Sequence, residues 1–186
     1  MKSIHQLRKL YQLKCVERAN SVKTRKESSA EHSWSSLILA DYFLNRMKNY
    51  QMDRLHVYEL LMYHDVVEIE AGDICISKEK ERETKKEKEM QAAHILKEHF
   101  PKELGQKFFN LFHEFEEGKT KESRFAKAID ALDAEIHEMD YKKDWVGWTE
   151  EFLRRKKEPL FEEFPELKET FEKIMLFLRK EGYFNQ

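Results

Sequence analysis

An adjacent imidazole and carboxylate, His64 and Asp65, form the most chemically informative pair in this sequence. Neighbours on a helical turn diverge by about 100°, so one divalent ion lying between their directions can accept both. Two ligands leave a coordination sphere incomplete, and further donors must come from elsewhere in the chain. His32, in AEHSW, and Asp130, in KAIDALDAEIHEMD, are suitable. Two imidazoles with two carboxylates suit Mn, Fe, Co, Ni or Zn and leave positions open for water and substrate. An ion held this way lowers the pKa of water and neutralises charge on a phosphoryl oxygen, so hydrolysis of a phosphate ester is the chemistry expected. Glu68 follows His64 by one helical turn, which puts it on the correct side to assist with a proton. Asp133 lies one turn beyond Asp130 and is an alternative last ligand, while Glu31, beside His32, is a candidate acceptor to orient that ring.

Helices must position these groups. Hydrophobic residues make up 40% of the 186-residue chain and charged residues 38%, with only five Gly and three Pro, a mixture that favours long amphipathic helices over turn-rich sheet. A first helix is expected over Ile4–Val16, followed by a basic loop, ERANSVKTRKESS. Cap-type Ser28 and Ser29 then open a helix that carries His32 and is expected to bury Trp34, Leu37, Ile38, Tyr42 and Leu44. The next helix begins at Leu55, carries His64 and Asp65 near its end, and stops near Gly72. The charged run from Lys78 to Lys88 reads as a solvated helix that joins the core through Ala92, Ile95, Leu96 and Phe100. Further helices are expected at Glu103–Glu116, Ser123–Met139, Trp145–Lys156 and Pro165–Lys180. The aromatic-rich tail, with Trp145, Trp148, Phe152, Phe161, Phe164, Phe171 and Phe177, has the helical spacing of core or of a dimer surface. The fold class is all-α, with seven to eight helices and no substantial sheet.

A net charge of -2 gives no electrostatic footprint for duplex binding, so nucleic acid is not the expected partner. Cys15 and Cys75 lack metal or disulfide spacing and read as free thiols. Without a signal-like apolar stretch or a run of about 18 apolar residues, a cytoplasmic protein with no membrane partner is expected.

Taken in order, SAEHSW, YHDVVEIEAGDI and KAIDALD resemble the HD-domain phosphohydrolases. Within them the likeness is to the YfbR-like and HDDC-type 5'-deoxynucleotidase branch, whose hallmarks are E-H-S, H-D-x-x-E-x-x-x-G-D and a late Asp. The likeness covers roughly residues 8–140. It implies a single HD domain over 1–186, with the helices of 144–182 packing on the core or at a dimer interface. It also implies one divalent cation per chain, Mg included, held by His32, His64, Asp65 and Asp130, and favours Asp130 over Asp133. The implied reaction is hydrolysis of (deoxy)nucleoside 5'-monophosphates by a homodimer, with Glu68 and Asp73 as catalytic residues beside the metal. One departure matters: the branch usually carries Arg-Trp upstream, whereas this chain reads CVERANSVKTRKES. Arg18 or Arg25 is therefore the candidate phosphate fork, and Lys78 lies close enough after Asp73 to add charge. The same residues leave open hydrolysis of another small phosphate ester or a nucleoside polyphosphate, and a non-catalytic, metal-binding dimeric regulatory module.

Overall fold

Helices supply nearly all the regular structure of the computed structural model, which describes residues 2–47, 49–78, 80 and 83–184. Helix α1 (Lys2–Arg8) and a 3-10 turn (Leu10–Cys15) lead into a hairpin, β1 (Glu17–Val22) and β2 (Arg25–Ser28). Helices α2 (Ser29–Arg46) and α3 (Arg54–Tyr63) follow, then a 3-10 turn (His64–Val67) and the single-turn α4 (Glu68–Ala71). The chain continues through α5 (Lys85–His99), α6 (Lys102–Glu117) and α7 (Lys121–Glu138). A 3-10 turn (Lys142–Trp145), α8 (Glu150–Phe161) and α9 (Pro165–Lys180) complete it. Glu79, Glu81 and Arg82, from the charged run expected to be helical, lie outside the described residues. Among the described residues, no helix is long and apolar enough to cross a membrane.

The basic stretch read as a loop is the antiparallel hairpin, paired Glu17 to Ser28, Ser21 to Lys26 and Val22 to Arg25. Its turn at Lys23-Thr24 carries none of the Asn-Gly or Asp-Gly chemistry that marks a hairpin in sequence, and Lys23 itself takes φ +55°. A lone two-stranded ribbon is marginal in water, so contacts from elsewhere must hold it. Asp144 accepts from the Ser21 amide at 2.8 Å and hydroxyl at 3.0 Å. His137 Nε2 donates to the Ser21 carbonyl at 2.8 Å, so this histidine ties the hairpin to α7.

The main core joins Val57, Leu60 and Leu61 of α3 to Phe125, Ile129 and Leu132 of α7, and to Phe161, Phe164 and Phe171 of the C-terminal segment. The tail aromatics are thus spent largely inside this chain. A second cluster packs Val66 and Val67 against Leu96, Phe100, Phe108 and Phe112, gripping the turn that holds His64 and Asp65. The helix expected to run unbroken from Leu55 changes to 3-10 geometry at that turn, and Gly72 ends α4 at φ +73°.

Helix α2 departs from expectation. Trp34, Ile38 and Tyr42 are exposed, and the inward face is Ser29, His32, Ser33, Ser36, Ala40, Phe43 and Leu44. Small and polar residues face inward because this face abuts α7 and lines a polar site, whereas hydrophobicity alone selects the opposite stripe.

Close approach of α5 and α6 depends on Gly105, where an added Cβ would stand 2.2 Å from the Lys97 carbonyl oxygen. Gly105→Ala is expected to destabilise the protein by about 1–3 kcal/mol through backbone displacement. Urea denaturation reads this as a lower midpoint, and an unchanged midpoint would mean that the two helices part without loss.

Candidate metal centre and its cleft

Residues from α2, the 3-10 turn and α7 meet at one point, and local structure aims each side chain there. His64 donates from Nδ1 to the Leu61 carbonyl at 2.7 Å, which fixes its tautomer and leaves the Nε2 lone pair free. Nε2 is buried and has no hydrogen-bond partner. A buried acceptor left unmatched costs about 1–3 kcal/mol, so this nitrogen is one a metal ion would satisfy.

His32 enters from the first turn of α2, which a capping box between Ser28 and Glu31 anchors. Its Nε2 lies 2.9 Å from Asp130 Oδ1, and its Nδ1 lies 2.9 Å from Asp133 Oδ2. Ser35 donates to that same Asp133 oxygen at 2.7 Å. Burial and the Arg18 charge push the His32 pKa down, but Asp130, Asp133 and Asp65 outweigh them and hold it up at about 10. Without a metal, the ring therefore carries protons on both nitrogens. For Asp130, burial pushes upward, yet the His32 hydrogen bond, with the neighbouring imidazoles and the Arg18 charge, holds it far below the usual carboxylate range.

Donor atoms of His32, His64 and Asp130 lie within 4.8 Å of one another. Asp65 flanks them, with Oδ1 3.2 Å from His64 Nε2 and Oδ2 3.9 Å from His32 Nε2. Two buried imidazoles facing carboxylates, one with an orphaned nitrogen, fit a divalent cation.

The site opens into a cleft of about 750 Å³, which Arg18, Glu68, Asp73 and Lys78 also line. Glu68 is buried and accepts from Ser29 Oγ at 2.6 Å. Burial, with the charges of Asp65 and Asp73, raises its pKa well above the usual range, so the carboxyl is prone to hold a proton. Arg18 donates from Nη1 to Asp65 Oδ2 at 3.3 Å, and its Nε lies 3.3 Å from Glu27. Burial would weaken its charge, but Asp65, Asp73, Glu68 and Asp130 hold it firmly protonated.

Arg25 stands apart from these residues. Its guanidinium forks onto Glu31 at 2.8 and 2.5 Å on the exposed surface, and with the Ser28 amide it draws the Glu31 pKa down to about 2. Glu31 accordingly serves the cap, and the residue that orients His32 is Asp133, from about a hundred positions away in sequence. Sequence reading placed Asp133 as a rival ligand because one helical turn separates it from Asp130. It had no signal for Ser29 as the partner of Glu68, or for Glu27 beside Arg18.

Comparison with known proteins agrees with this geometry. The HD domain family model matches residues 10–168. The 5'-deoxynucleotidase HDDC2 of Bos taurus is 27% identical over 138 residues, 73% of this chain and 65% of that protein. The Xenopus laevis protein of the same name is 28% identical over 144 residues, 75% and 70% of the two chains. This chain thus spans slightly under two thirds of the bovine protein. A predicted metal-dependent phosphohydrolase from Magnetospirillum magnetotacticum superposes with a TM-score of 0.85 at 25% identity, covering 98% of this chain and 96% of that one. An HD-domain phosphohydrolase from Listeria innocua has the same fold at a TM-score of 0.65 and 21% identity, with 96% and 86% covered.

Two outcomes are expected at this centre. Asp133→Asn should weaken divalent-metal affinity about 10–100-fold, as loss of an orienting acceptor does, with the helical circular dichroism unchanged. Because His32 must lose a proton to become a ligand, metal uptake should release one from it, and apparent affinity should fall about tenfold per pH unit below about 10. Calorimetry in buffers of differing ionisation enthalpy measures that proton, and pH-independent uptake would refute the assignment.

Proposed function

Because the chain belongs to the HD domain family, we propose that it is a metal-dependent phosphomonoesterase that hydrolyses (deoxy)nucleoside 5'-monophosphates to nucleoside and phosphate. One observation carries the reading: the unpartnered His64 Nε2 faces His32 and Asp130 at the wall of a cleft large enough for a small ligand. The names of the HDDC2 relatives support the substrate class.

In this reading His32, His64, Asp65 and Asp130 hold one divalent ion. When bound, the ion supplies Lewis-acid chemistry, acidifying water and neutralising phosphoryl charge. Glu68, held by Ser29, is the proton carrier of the reaction, since a carboxyl raised toward neutrality can both take and return a proton. Asp73 reinforces that shift and lines the path to the sugar. Arg18 and Lys78 are the cations in the cleft wall for the phosphate, with Arg18 held at the metal end by Asp65. Arg25 is left out because Glu31 occupies its fork. A cytoplasmic homodimer belongs to the same reading, and the exposed Trp34, Ile38 and Tyr42 stripe supports it as the surface for a second copy better than the tail aromatics do.

The testing experiment is phosphate release from a panel of ribo- and deoxynucleoside 5'-monophosphates with Co, Mn or Mg. Release should vanish with chelator and fall at least about a thousandfold in Asp65→Asn. Glu68→Gln should lose about a hundredfold to ten-thousandfold in kcat while still binding metal, because only proton transfer is removed. Silence of the metal-loaded protein across the panel would exclude the nucleotidase reading in favour of another phosphate ester.

A further inference from the structure

Two carboxylates of different standing hold Arg18. Asp65, whose Oδ2 accepts from Nη1 at 3.3 Å, is itself a donor toward the metal, so its hold on the guanidinium is shared with the ion. Glu27, whose Oε2 lies 3.3 Å from Nε, stands outside the donor set, and its pairing with Arg18 does not compete with an ion. Among the described residues no other carboxylate pairs with Arg18, and its Nη2 makes no hydrogen bond to any of them. Because Nη1 reaches Asp65, the Nη edge of the guanidinium is the one at the metal centre, and the Nε edge is the one at the hairpin.

The hairpin and α7 together put Glu27 in this place. Between the pairs Glu17 to Ser28 and Ser21 to Lys26 the ladder is irregular, with Arg18, Ala19 and Asn20 of β1 set against Glu27 alone on β2. An irregularity of this kind bends a strand and re-aims its side chains. Arg25 and Lys26 of β2 are exposed, yet Glu27 is only 3% exposed. Its Oε1 lies 3.6 Å from His137 Nδ1, and the Ser21 carbonyl fixes that ring through Nε2. Neither Arg18 Nε nor Glu27 Oε2 has an aligned hydrogen bond, so the attraction between them is one of charge. A buried carboxylate is costly unless a cation meets it, and Arg18 meets this one.

Resting on the assignment of Arg18 to the phosphate in the nucleotidase reading, we propose that Glu27 is a positioning residue for phosphate binding. It draws the Nε edge of Arg18 against the hairpin and so presents the Nη edge to the phosphate while Asp65 serves the metal. A guanidinium recognises phosphate through two parallel N–H bonds from one edge, so the rotation of its plane matters as much as its charge. Asp65 alone leaves that rotation unset, because a single contact at Nη1 lets the plane turn about it.

The test is a double-mutant cycle on the binding of inorganic phosphate, read by calorimetry of the full-length, metal-loaded protein, which needs no turnover. Glu27→Ala should weaken phosphate about tenfold. Glu27→Gln should lose about threefold, because an amide oxygen keeps an acceptor toward Nε at the same reach; this variant carries the same cycle if Glu27→Ala does not fold. In an Arg18→Gln background either change at Glu27 should have no further effect, since the group it positions is gone. A Glu27 that serves only the fold would weaken phosphate equally in both backgrounds. That result, an affinity unchanged by Glu27→Ala, or a wild type that takes up no phosphate overturns the assignment and leaves the nucleotide panel to decide the nucleotidase reading. Hydrolysis of no nucleotide, with the cycle as expected, removes that reading and keeps Glu27 as the residue that sets Arg18 for a phosphate group.

Discussion

Everything at this centre depends on His32 being gripped between two aspartates of α7. Asp130 and Asp133 are one turn apart, so the two ring nitrogens can each meet a carboxylate only if α2 crosses α7 at one height and rotation. That requirement explains the composition of α2. The face that meets α7 must be small and polar enough to admit the contact, which sends Trp34, Ile38 and Tyr42 to the outside. Ser35, donating to Asp133, shows the clamp extended by one further bond.

Charge balance completes the arrangement. Asp65, Glu68, Asp73 and Asp130 converge on one cleft, and carboxylates this close cannot all ionise freely without a cation among them. Arg18 supplies one fixed charge, brought there by the hairpin, and His32 supplies another when no metal is bound. The hairpin is thus a delivery element. It is pinned by Asp144 and His137 so that Arg18 and Glu27 reach a site formed by helices distant in sequence. Burial, with the charges of Asp65 and Asp73, keeps the Glu68 pKa elevated, and Arg18, hydrogen-bonded to Asp65, only partly offsets that rise.

Much of the helical frame was legible from periodicity. Pro165–Lys180 carries its apolar residues at helical spacing and begins with Pro, and the helix runs over that span. Failures occurred where a local rule competed with tertiary demand. The hairpin has a turn without turn residues, and the helix through His64 tightens to 3-10 geometry because Val66 and Val67 are drawn into the second core. On α2 the expectation held for Leu44 and failed for Trp34, Ile38 and Tyr42, because hydrophobicity cannot report that the inward neighbour is a polar site.

Residue types and their spacing alone determined the all-helical class, because it depends on short-range periodicity; they also offered His32, His64, Asp65 and Asp130 as candidate metal donors, with Asp130 favoured over Asp133 only by the family resemblance. Tertiary structure decided which partner each donor has. It assigned Asp133 to His32, Ser29 to Glu68, Glu31 to Arg25 and Glu135 to Lys157. Most of these pairings join residues tens of positions apart, where chain connectivity places almost no constraint on distance and only the packing of helices brings the atoms together. The orphaned Nε2 of His64 belongs to the same category. Its chemistry is present in the sequence, but its lack of a partner is a property of the folded interior.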